Sequence, residues 1–112
     1  MREARVVRFV EGKAVTGEFL VTTLARGEHI VVLEISLPKG VSSPAHAHAH
    51  ESIIYVIRGR LKTVIDGKAS FLGPGDSCVH GRGIEHDVEA LEAALFLEIK
   101  SPAPNLDDFF RS

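Results

Sequence analysis

Apolar positions along the chain alternate with polar ones in short β-branched runs broken by glycine, and no stretch carries the three-to-four spacing of a helical stripe. This pattern predicts an all-β domain with strands over residues 4–10, 18–24, 29–37, 52–57, 60–65, 68–72, 77–80, 87–91 and 93–100. Nine short strands suit a barrel or a sandwich. Asp66-Gly67 between two such runs predicts a tight hairpin, because a type I′ turn needs positive φ at both central residues. Arg26-Gly27-Glu28 is a weaker hairpin signal, and Gly73-Pro74-Gly75-Asp76 reads as a turn. Prolines and a glycine make residues 38–44 a loop leading into a histidine cluster. The tail, residues 101–112, is expected to cross the surface until Phe109-Phe110 docks, with a short helical turn at its end.

Residues 30–33 and 53–57 are apolar at odd and even positions alike, so both faces of those strands need cover. One face can line a barrel, and the other predicts a homodimer, unless the N-terminal strands alone cover it. At 112 residues the chain fits one domain over 1–112, with N-terminal strands over 4–24. Net charge of -2 and a pI near 6.3 give no electrostatic reason to bind nucleic acid or anionic lipid. No apolar run approaches the ~18 residues of a membrane span. Charges at Arg2, Glu3, Arg5, Arg8, Glu11 and Lys13 leave no apolar core for a secretion signal. Cys78 is the only cysteine, so the expected location is the reducing cytoplasm.

Five of the six histidines fall between positions 46 and 86. In an extended chain His46 and His48 project to the same side and can grip one ion together, while Ala47 and Ala49 keep the other side small. Neutral imidazole suits iron, nickel, manganese, zinc, cobalt or copper, so one divalent transition metal is the expected cofactor. A second strand must deliver the remaining ligand. His86, which follows the Gly81-Arg82-Gly83 corner, is placed to do so. A lone cysteine and the absence of an HExxH helix argue against a structural zinc cage.

The run Gly40-x5-His46-x-His48-x3-Ser52-x6-Gly59 resembles the first motif of the cupin family, and Gly67-x6-Pro74-Gly75-Asp76 followed by Gly83-x2-His86 resembles the second. The resemblance covers residues 31–102, the conserved-barrel core, and implies a single-domain cupin, that is, a double-stranded β-helix or jelly-roll barrel. It also implies that His46, His48 and His86 hold the metal. Ser52 stands where the family has a carboxylate or amide ligand, and Ala90 where it has an asparagine. Three ligand sets follow: the three histidines with water, the three with His50, or the three with Glu51 after a local bulge. A serine hydroxyl from Ser52 would be a poor fourth ligand. The three-histidine set leaves open positions of the kind Lewis-acid and oxygenase chemistry requires.

Glu98 on the last strand resembles the carboxylate of small cupins that open unsaturated uronate rings, which implies a general acid or base. Lys100 and Pro104 depart from the aromatic residue and arginine of those proteins. His80, Arg60 and Tyr55 are candidate substrate contacts, although the odd position of Tyr55 turns it from the metal. Arg58, Arg60, Lys62 and Arg82 suit an anion, or more simply a solvated edge that deters strand association. Cys78 shares the parity of His80 and reads as an ordinary small buried residue, and His29 as a surface or packed one. Two functions fit: a metal-dependent enzyme acting on a small oxygenated molecule by isomerisation, ring opening or dioxygenation, or a non-catalytic module that binds or senses a small-molecule ligand.

Overall fold

The computed structural model describes residues 3–111, and they form the expected all-β architecture. The strands are β1 Ala4–Val10, β2 Lys13–Arg26, β3 Val31–Leu37, β4 Ser42–His46, β5 Glu51–Ile65, β6 Lys68–Leu72, β7 Ser77–His80 and β8 His86–Ser101, followed by one helical turn, α1 Leu106–Phe109. All pairings are antiparallel.

Two long strands serve both layers of the barrel. The second half of β8 pairs with β3, its first half with β4, and both halves with β5. The first half of β5 receives β7, and its second half receives β6. One layer therefore runs β1, β2, β3, β8, β5, β7, and the other β4, β8, β5, β6. Residues 52–57 and 60–65, expected as separate strands, are one bent strand, and so are 87–91 and 93–100. Gly59 makes the bend possible. Its φ is +84°, and a Cβ there would lie 2.2 Å from the Ala93 carbonyl oxygen, so β5 crosses β8 where only glycine fits. The strand expected over 18–24 spans Lys13–Arg26, and β4 begins inside the stretch expected as a loop.

Asp66 (φ 50°) and Gly67 (φ 79°) form the expected primed turn. Glu11 (φ 47°) and Gly12 (φ 82°) form a second one, joining β1 to β2, that the sequence reading passed over. The core between the layers is built from Val7, Phe19, Leu33, Ile54, Val56, Leu61 and Phe96 with their buried neighbours. Strict alternation along β3 and the first half of β5 puts Leu33, Ile54 and Val56 inside. β1 and β2 extend the first layer edgewise, which leaves Ile53, Tyr55 and Ile57 over 40% exposed on its outer face. The tail docks as expected: Asn105 caps α1 by accepting from the Asp108 amide, and Phe109 is buried. Among the described residues no helix is long and apolar enough to cross a membrane.

Candidate metal centre

His46 ends β4 and His86 begins β8, and the two are direct cross-strand partners. From His46 the chain runs extended, so His46, His48 and His50 are buried while Ala45, Ala47 and Ala49 are exposed. The imidazole centroids of His46, His48 and His86 lie 4.3, 4.6 and 4.9 Å apart, and one ligand atom from each falls within 4.8 Å of the others.

The hydrogen bonds orient these rings. Nδ1 of His46 contacts the Pro44 carbonyl, Nδ1 of His86 the Ile84 carbonyl at 3.0 Å, and Nδ1 of His48 a Glu11 carboxylate oxygen at 2.6 Å. Carbonyls and carboxylates only accept, so each Nδ1 carries the proton and each Nε2 keeps its lone pair. Burial pushes the His46 imidazole down to about 4, and burial likewise lowers His48 and His86. The rings are therefore neutral at neutral pH, the state a metal ligand requires. This donor set fits a borderline divalent ion.

The other candidate ligands are engaged elsewhere or face outward. Lys100, 1% exposed, extends its ammonium between His50 and Ser52, donating to the Ser52 hydroxyl at 3.1 Å and reaching His50 Nε2 at 3.3 Å. The same ammonium is paired with Glu98 and lies 4.6 Å from the Phe109 ring centre. Nε2 of His50 and the Ser52 hydroxyl thus face Lys100. Glu51 is exposed.

A cavity of about 50 Å³ adjoins the three imidazoles. Its walls are mostly apolar, with Phe19, Ile35, Phe96 and Phe109 among them. His80 and Glu98 also line it. His80 stacks on His86 with ring centres 4.0 Å apart and bonds through Nε2 to the Thr63 hydroxyl at 2.9 Å, so it buttresses that ring. Burial pushes the Glu98 carboxyl up, but the charge and hydrogen bond of Lys100 pull it down further, helped by His80 and His86, and the group stays ionised. Arg60 and Tyr55 are exposed on the outer surface and do not line the cavity, and Arg58 and Arg82 are exposed as well. For Arg60 the reason is the register shifts between Val56 and Leu61, which exchange the faces of β5: even positions are buried before the bend and odd ones after it. Cys78 is half-buried beside the core, and of the two places open to His29 the surface is the one it takes.

Sequence reasoning missed Glu11 and Lys100. The Glu11-Gly12 dipeptide between two β-branched runs could have marked a turn, but nothing local links it to His48.

The family model described as "Cupin domain" matches residues 33–100. Among solved structures, KdgF from Halomonas sp. is 25% identical with a TM-score of 0.74, over 77% of this chain and 82% of that one. A protein from Thermotoga maritima described as a predicted oxalate decarboxylase is 22% identical with a TM-score of 0.80, over 91% and 94%. An RmlC-like cupin from Shewanella frigidimarina is 20% identical with a TM-score of 0.74, over 94% and 89%. No curated protein matches. These likenesses support the jelly-roll barrel read from the strand order.

Proposed function

The chain belongs to the cupin family, and we propose that it is a metal-dependent enzyme acting on a small oxygenated organic molecule by isomerisation, ring opening or dioxygenation. His46, His48 and His86 are the proposed ligands for one divalent ion among iron, nickel, manganese, zinc, cobalt and copper. The observation that carries this reading is the convergence of three neutral imidazoles, each with Nδ1 already bonded, on one side of a mostly apolar cavity. A bound ion there supplies Lewis-acid activation of a substrate oxygen.

The remaining work falls to this chain's own side chains. Glu98, ionised and facing the cavity, accepts a proton from the substrate and returns it, while Lys100 fixes the carboxylate's position. His80 keeps the His86 ring in place, and the apolar walls exclude water. Metal analysis of the purified protein, followed by turnover assays on uronates, diols and thiols with each metal, tests the proposal. Turnover that needs metal and is lost in His48→Ala supports it. Metal-independent ligand binding with no turnover overturns it in favour of a binding or sensing module. That second reading is favoured by one observation: the single carboxylate lining the cavity among the described residues is already paired with Lys100.

A homodimer is proposed for the working form, joined through the outer face that bears Ile53, Tyr55 and Ile57. Sedimentation showing only monomer at micromolar concentration would refute it. A cytoplasmic location is proposed from the single unpaired cysteine.

A further inference from the structure

Outside the three proposed ligands, the shortest polar contact to any of those imidazoles from a side chain belongs to Glu11. We infer that Glu11 is a positioning residue for the metal site, an outer-shell carboxylate that fixes the tautomer and orientation of His48; the inference rests on the metal-binding reading above. His46 and His86 bond to carbonyls of residues two positions earlier in the chain, Pro44 in β4 and Ile84 just ahead of β8, so local backbone suffices to set them. His48 sits in the link between β4 and β5 and has no such local partner. Its Nδ1 is met across the barrel rim by the turn between β1 and β2, 37 residues earlier in the chain. A carboxylate behind a ligating imidazole raises its basicity and holds its ring, and such partners are worth about 10–100-fold in metal affinity.

The turn is itself held in place. Glu11 occupies a left-handed conformation that is costly for a residue with a side chain. Its amide donates to the Phe109 carbonyl at 2.7 Å, and the Gly12 amide donates to the Arg111 carbonyl at 3.0 Å. The Phe109 ring packs against His48 with centres 4.9 Å apart, so the docked tail clamps both the carboxylate and the ring it serves. The Glu11 side chain is 40% exposed, hence its removal leaves no buried void.

The test uses the full chain titrated with Zn²⁺ in competition with a chelator, and with Co²⁺ followed by its visible absorption. Glu11→Ala is expected to weaken Zn²⁺ binding about 10–100-fold and to alter the Co²⁺ spectrum. Glu11→Gln, which keeps an acceptor oxygen, is expected to recover most of the loss. Glu18→Ala, which removes a surface partner of Arg8, should match wild type. Nitrogen-15 NMR of the metal-free protein should find His48 as the Nδ1–H tautomer in wild type and a mixture in Glu11→Ala. Wild-type affinity in Glu11→Ala, or an unchanged His48 tautomer, overturns the inference while leaving the metal site standing. No metal uptake by wild type overturns both.

Discussion

Replacing Lys100 by methionine separates the charge of this residue from its bulk, since the two side chains have similar length and an apolar stem. In the wild type the ammonium is paired with Glu98, donates to Ser52 and lies over the Phe109 ring. Methionine fills the space but leaves the Glu98 carboxylate, 15% exposed, without its counter-charge. Breaking a buried ion pair by removing one partner costs about 3–5 kcal/mol. For a domain of this size that lowers the melting temperature by about 12–20 °C. The pH dependence has a definite sign. In the wild type the Glu98 carboxyl is depressed, so its contribution is present above the ordinary carboxylate range and is lost as pH falls. In Lys100→Met only burial and the imidazoles act, the carboxyl rises, and the variant regains stability as it protonates. The gap between the two proteins should therefore narrow from pH 7 toward pH ~4.5. Glu98→Leu combined with Lys100→Met removes both charges and should recover most of the loss. Urea unfolding of the three proteins at several pH values measures all of this. A loss under about 1 kcal/mol at pH 7, or a double variant as unstable as Lys100→Met, would refute the account.

Further expectations concern other parts of the barrel. The buried imidazoles of His46, His50 and His80, pushed down to about 4 mainly by burial, stay neutral while those of the unfolded chain take up protons below pH ~6.5. Stability of the metal-free protein should thus fall as pH drops from ~6.5 toward ~4; a flat profile in urea melts across that window would contradict it. Gly59→Ala places a methyl group against the Ala93 carbonyl in a strained conformation, and should cost more than about 3 kcal/mol or abolish soluble expression. A melting temperature within a few degrees of wild type would show that the crossing tolerates a side chain. The Cys78 thiol is pushed up to about 11 by burial, aided by the charge of Glu98, so iodoacetamide at pH 8 should label it roughly 100-fold more slowly than an unperturbed thiol. Labelling at the rate of the unfolded chain would refute that.

The sequence was most informative where a property is local. Strand positions followed from alternation, the Asp66-Gly67 turn from its dipeptide, and the shared face of His46 and His48 from the two-residue period. It was least informative where the chain bends without stopping. Gly59 and Glu92 read as strand ends, yet β5 and β8 run through both, because a bulged strand keeps its neighbour while changing its face. The same exchange of faces put Arg60 outside, where simple parity would have turned it inward. In the sequence Lys100 is only a departure from related proteins, and its burial depends on Glu98 of its own strand and, across the sheet, on His50 just ahead of β5 and Ser52 at its start. Glu11 is still less legible, because its partner lies across the rim and only the closed barrel brings them together.

The position of β8 bears on how this protein is made. It is the common neighbour of β3, β4 and β5, and it carries His86, Glu98 and Lys100. A nascent chain that has emerged only as far as residue 85 holds β3, β4 and β5 without the strand that pairs with all three. Neither layer is complete, and the HxH pair has no opposing His86, until β8 has left the ribosome. A product that stops ahead of β8 therefore exposes unpaired strand edges, which favour aggregation.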